Sequence, residues 1–161
     1  MNIEQAFIKS QNPFEVIVHI ENRLKFGPET GEVLKIEVPD SYNSIIAKDS
    51  KRKIAVSGST GGWISVLESK EVNDYGMLLN LSKELCTDVI CVVISDVTGS
   101  CGFVEFNNGE IINGVFYEYK NDIERFINSI LYKKGITIPL LMFKEVFADK
   151  DNGWAICKRN K

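Results

Sequence analysis

Histidine is nearly missing from this chain: His19 is the only one in 161 residues. A Ser-His-Asp or Cys-His catalytic arrangement would have to use it. It sits between Val18 and Ile20 in a stretch with helical periodicity, where a satisfied or surface histidine is expected. The four cysteines, Cys86, Cys91, Cys101 and Cys157, form no CxxC pair and match no zinc spacing. No metal and no cofactor is therefore expected. Cys86 and Cys91 lie among apolar neighbours and read as buried free thiols of a reducing compartment. Long apolar runs are also lacking. The longest, "VICVVI" at Val89–Ile94, has the length of a strand, so no membrane-spanning helix is expected. The opening "MNIEQAFIKSQNPFEV" has no basic segment followed by an apolar core, so no signal peptide is expected and the cytoplasm is the simplest compartment.

An excess of positive charge is missing too. The 19 Lys and Arg face 22 Asp and Glu, for a net charge of −3, a poor basis for binding nucleic acid. The basic clusters "KDSKRK" (Lys48–Lys53) and "KRNK" (Lys158–Lys161) are short, lack interleaved aromatics, and read as a solvated loop and tail. "SGSTGGWISVLES" at Ser57–Ser69 invites a phosphate-loop reading, but Gly61-Gly62 is followed by Trp63 rather than lysine. A strand pattern follows where a P-loop needs a helix. It reads as a glycine-rich hairpin turn that needs positive φ. No G-x-S-x-G elbow is present either.

What is present is the profile of a soluble globular protein, 44% hydrophobic and 25% charged. "NPFEVIVHIENRLKFGP" reads as a helix, with Asn12 as cap, Pro13 first, Glu15 completing a capping box, and Gly27-Pro28 as the stop. "EVLKIEVPD" alternates like a half-buried strand, and "KIAVS" and "WISVLES" read as two more. "NDYGMLLNLSKELC" is an amphipathic helix capped by Asn73 or Asp74, with Tyr75, Leu78, Leu79, Ser82, Leu85 and Cys86 on one face. "DVICVVISD" is apolar on both faces, as a central strand is. "GFVEFNNGEIINGVFYEY" is a hairpin turning at Asn108–Gly109, with Ile111, Val115, Tyr117 and Tyr119 on one face and a bulge or a close approach suggested at Gly114. "NDIERFINSILYKKG" is a helix capped by Asn121, "PLLMFKEVFAD" another opened by Pro139, and "WAICK" a last strand.

The resulting order, α-β-β-β-α-β-β-β-α-α-β, predicts an α+β fold. Its largely antiparallel sheet of about six strands carries helices packed on it, in one layer or nearly so. A single domain over 1–161 is expected, the alternative being a loosely separate subdomain over 1–50.

Gly62-Trp63 opening a strand, the helix "LLNLSKELC", the strand "VICVVISD" and the hairpin "FVEFNNGEI" together resemble a group of small bacterial proteins similar to the immunity proteins that neutralise polymorphic toxins. The resemblance covers about Gly61–Tyr119 and carries no catalytic residue. It implies a non-enzymatic protein whose partner is another protein, such as a toxin, with no nucleic acid and no membrane involved. The candidate contact residues are the acidic Glu68, Asp96, Glu105 and Glu118 and the aromatic Trp63 and Tyr117. Trp63 also reads as core. One alternative is a small ligand-binding or hydrolase-like domain in which Asp96, Glu68, Glu105 and Glu118 face a common site. Another is a structural or regulatory subunit that associates through Tyr117 and Tyr119.

Overall fold

The computed structural model describes residues 2–26, 52–69, 73–96, 99–118, 122–148 and 153–158. They form a seven-stranded, wholly antiparallel sheet with four helices packed on it, an α+β fold. The strands are β1 (Asn2–Lys9), β2 (Lys53–Val56), β3 (Trp63–Glu68), β4 (Asp88–Ser95), β5 (Ser100–Asn107), β6 (Glu110–Glu118) and β7 (Ala155–Lys158). The helices are α1 (Pro13–Phe26), α2 (Tyr75–Glu84), α3 (Ile123–Lys133) and α4 (Phe143–Ala148). Across the sheet the strands run β6-β5-β4-β1-β3-β2-β7. The sequence-predicted strand "EVLKIEVPD" and Tyr119 lie outside the described residues, as does Asn121.

β1 is a strand the periodicity reading missed, and it is the middle of the sheet, paired with β4 on one side and β3 on the other. Its polar residues hid it. Gln5 is fully buried, yet every polar atom of its amide is used. Nε2 donates to Ser65 Oγ at 2.7 Å and to the Pro139 carbonyl at 3.1 Å, and Oε1 accepts from Leu141 N at 2.7 Å. Those bonds anchor residues 139–141, which lie outside any helix, and this corrects the expected helix start at Pro139. α4 begins only at Phe143, with Glu145 Oε2 accepting from Met142 N at 2.6 Å.

Both faces of the sheet are covered, where one helix layer or nearly so was expected. Ala6, Ile8, Val89, Cys91, Val104 and Phe106 meet Val16, Ile20 and Leu24 of α1 and Leu78 and Leu81 of α2 on one face. On the other, Phe7, Ile90, Val92 and Phe103 meet Ile127 and Leu131 of α3. The period-two alternation of β4, with even positions to one face and odd to the other, produces both layers from one apolar run.

The turns follow their glycines. Gly61 and Gly62 both have positive φ, between the paired Thr60 and Trp63, so the glycine pair before Trp63 forms a two-residue hairpin turn. Asn108 and Gly109 likewise both have positive φ. Helix capping follows the sequence in α1, where Phe14 N donates to Asn12 Oδ1 at 3.1 Å, and in α2, where Met77 N donates to Asp74 Oδ1 at 3.0 Å. In α3 the N-cap position is Asp122 and makes no side-chain cap bond. Cys86 is a correction: it is exposed, because it takes a positive φ just past the end of α2 and reverses the chain there. Among the described helices, none is long and apolar enough to cross a membrane.

Candidate functional site

β6 ends the sheet. It is the longest of the seven strands, and from Glu110 to Gly114 and again at Tyr117 and Glu118 it is exposed. Gly114 has no side chain, so its exposure is exposure of backbone. An edge of this length presents unpaired N–H and C=O groups to whatever approaches.

Two features shape this edge. The pairing shifts by one residue opposite Glu105 and Phe106, so Ile112 is the bulged residue. The bulge separates Ile111 from the face shared by Val115 and Tyr117: Ile111 sits opposite Phe106, whereas Val115 and Tyr117 sit opposite Phe103 and Cys101 on the α3 side. This corrects the expectation of one face for all three, and moves the bulge from Gly114 to Ile112. Gly102, opposite Phe116, provides the second feature. A Cβ there would lie 2.1 Å from the Val115 carbonyl oxygen and 2.8 Å from Phe116 Cα, so only glycine lets β6 approach this closely.

α3 lies alongside β6. Phe126 meets Tyr117 edge-to-face with ring centroids 5.7 Å apart, and Lys134, just past the helix, is ion-paired with Glu105, which sits opposite Asn113. Eight helical residues from 126 to 134 rise about 12 Å, and four strand residues from 117 to 113 span about 13 Å. Helix and strand therefore run antiparallel with matched length. Phe126 is 44% exposed, Tyr117 43% and Ile112 58%, and together they border the edge with apolar surface. Acidic groups flank it: Glu110 and Glu118 at the strand's two ends, Asp122 and Glu124 at the start of α3. At the hairpin end of the edge opens a cavity of about 230 Å³ lined by Lys9, Trp63, Asp88, Glu105, Ile112 and Lys134. Of the other exposed large hydrophobic residues, Ile111 is on β6 and Tyr132 near the end of α3, whereas Phe14, Val18 and Phe26 are on α1 beyond the opposite face. Phe14 and Phe26 are about 18 Å apart along that helix and form no common patch.

The candidate residues divide. Tyr117, Glu118 and Glu105 belong to this edge region. Trp63 is 6% exposed, packs under the α3 layer and lines the cavity. Asp96 is exposed just after β4, at the Glu118 end of the sheet, since Ser95 pairs with Ser100 and Ser100 with Glu118. Glu105 is five residues along β5 from Ser100, about 17 Å away, and it faces α3 whereas Glu118 alternates to the other side. Glu68 is 3% exposed on the α1–α2 face. The four carboxylates thus do not converge, and among the described residues no group of three or more His, Cys, Asp or Glu could hold a metal ion.

Glu68 belongs instead to a buried ionic cluster. Arg52, from the run read as a solvated loop, is buried and bridges Glu68 through Nε and Nη2 and Asp74 through Nη2 at 2.8 Å. Asp74 also accepts from Arg23 Nε at 3.0 Å. Burial disfavours the Arg52 charge, but Glu68 and Asp74 outweigh it and hold its pKa above the ordinary value. Burial likewise works against the Asp74 carboxylate, yet the Arg23 hydrogen bond, the Arg52 charge and the Met77 N–H hold it below the ordinary carboxylate value. Beside the cluster, Glu4 accepts from Asn73 N at 2.7 Å, and Asn73 Nδ2 reaches Cys91 Sγ at 2.8 Å. Burial, then the neighbouring charge of Glu4, pushes the Cys91 thiol well up; burial does the same for Tyr75. Both stay protonated and closed to solvent, so neither serves as a nucleophile or base. The cluster ties α1, β3 and α2 to the chain entering β2. Comparison of the chain with protein-family models, curated proteins and solved structures finds no match.

Proposed function

We propose that this chain is a non-enzymatic protein-binding protein that acts through the β6–α3 edge, and that its concrete role is that of an immunity protein covering a bacterial toxin in the cytoplasm. The observation that carries the reading is the pairing of a long open sheet edge with an exposed aromatic couple, Tyr117 and Phe126. Aromatic side chains in this half-exposed state supply large contact area at low entropic cost. The flanking carboxylates Glu110, Glu118, Asp122 and Glu124 suit a basic partner and would speed its encounter.

The cavity beside Ile112 is small for a ligand. At about 230 Å³ it falls below the usual range for ligand pockets, roughly 300–1,000 Å³. Its Lys134 is already neutralised by Glu105, and Lys9 lies 3.9 Å from Asp88. It suits one inserted side chain of a docked protein.

The test is co-expression with the product of a neighbouring toxin-like gene. Tyr117→Ala and Phe126→Ala should abolish growth protection and capture while leaving the thermal unfolding midpoint within a few degrees of the parent. Protection that persists in the double variant removes this edge from the reading.

A further inference from the structure

We infer that Asn108–Gly109 is a site of spontaneous deamidation that Ser82 of α2 holds closed in the folded chain. The reaction needs no enzyme. Gly109 N attacks Asn108 Cγ, the Cγ–Nδ2 bond breaks, and the side-chain nitrogen leaves as ammonia with the Gly109 amide proton. Water then opens the succinimide ring at either carbonyl, leaving aspartate or isoaspartate at 108. Glycine in second place favours the attack, because it has no side chain to block the approach and its backbone turns freely. Asn108 is exposed at the tip of the β5–β6 hairpin, open to water.

In the folded chain the nucleophile is occupied. Gly109 N donates to Ser82 Oγ at 2.9 Å. Ser82 is fully buried, and its own proton goes to the Leu79 carbonyl at 2.7 Å, which leaves the oxygen lone pairs for the hairpin. The turn is also wedged. A Cβ on Gly109 would meet Lys83 Cβ, Cγ and Cδ at 2.9, 3.1 and 3.2 Å, so this glycine is pressed against the Lys83 stem. Asn108 and Gly109 have φ of 50° and 82°, and ring closure requires Gly109 N to swing out of the turn onto the Asn108 side chain. That rotation breaks the Ser82 bond and pushes on Lys83, so attack waits for the hairpin to lift from α2. What the clasp preserves is the register of β6. Isoaspartate would lengthen the backbone of a two-residue turn by one carbon, and the turn fixes how the strands it joins are paired. The inference stands apart from the protein-binding reading, although it concerns the hairpin that carries that edge.

The test is peptide mapping by mass spectrometry after incubation at mildly alkaline pH. The samples are the native chain, the chain unfolded in urea, and the native Ser82→Ala variant. Asn113–Gly114, within β6 and away from the turn, is the reference in the same molecule. Unfolded, Asn108 and Asn113 should deamidate at comparable rates, since both precede glycine. Folded, Asn108 should react about tenfold more slowly than in urea, or slower still, and Ser82→Ala should recover about tenfold while Asn113 keeps its parental rate. An Asn108 rate in the folded parent equal to that in urea overturns the inference. So does a folded Ser82→Ala variant in which Asn108 is no faster, or in which Asn108 and Asn113 accelerate together. Should the variant not fold, hydrogen exchange of the parent decides: the Gly109 amide must be protected, and fast exchange there overturns the clasp. None of these outcomes bears on partner capture through Tyr117 and Phe126.

Discussion

Replacing Asp74 by alanine removes the carboxylate on which α1, α2 and the chain entering β2 converge. Three interactions go at once: the cap on α2 through Met77 N, the two-pronged contact from Arg23, and the bond from Arg52 Nη2. Loss of an N-cap costs about 1 kcal/mol. Removing one partner of a buried ion pair costs about 3–5 kcal/mol. Arg52 keeps Glu68 and Arg23 is partly exposed, so the low end applies. The sum is about 4 kcal/mol, against a total of about 5–15 kcal/mol for a domain, or a fall in Tm of about 8–16 °C at this size. Urea unfolding followed by tryptophan fluorescence reads it directly. The pH dependence has a defined sign. Asp74 titrates lower in the folded than in the unfolded chain, so its contribution is complete above about pH 5 and fades as pH falls below about 4. The stability gap between the parent and Asp74→Asn should therefore narrow on acidification. A loss below about 1.5 kcal/mol for Asp74→Ala, or a gap that widens below pH 4, refutes the account of the cluster.

Gly102→Ala should cost about 1–3 kcal/mol, since its Cβ would press on backbone atoms of β6 that cannot yield without moving the strand. Hydrogen exchange should show the loss concentrated in β6 amides; unchanged β6 protection would contradict the close-approach argument. Of the four thiols only Cys86 is exposed, while burial and then the charge of Glu21 push the Cys157 thiol up to about 11. A thiol reagent at about pH 8 should therefore label one cysteine quickly in the native protein and four after denaturation. A second fast thiol in the native state would count against the buried placement of Cys91, Cys101 or Cys157.

Local chemistry was legible in the sequence wherever it acts locally. Asn108–Gly109, the Gly61-Gly62 turn and the Asn12 and Asp74 caps depend on neighbours within a few residues. The apolar run of β4 declared a central strand because both of its faces are covered. β1 was not legible, since Glu4 and Gln5 break its apolar alternation and are satisfied only by groups far along the chain, such as Asn73, Ser65 and Leu141. Residues 3–8, followed by the Ser-Gln-Asn-Pro break, did carry a period-two trace in Ala6 and Ile8 against Ile3 and Phe7. Glu68 looked like a surface acid for the same reason: its partner Arg52 is sixteen residues away in a basic run. For the candidate site, the sequence named Tyr117, Glu118 and Glu105 but missed Phe126, which nothing local sets apart within the helix "NDIERFINSILYKKG". Only the tertiary placement of α3 beside β6 turns it outward against Tyr117.

The central claim is that another protein is held at the β6–α3 edge, and hydrogen exchange of the chain with and without the proposed toxin partner tests it most directly. The account predicts new protection across 110–118 and 122–133, strongest at the outward amides of β6, with 13–26 and 75–84 unchanged. Protection confined to α1 and α2, with the β6 amides exchanging as in the free chain, would contradict it.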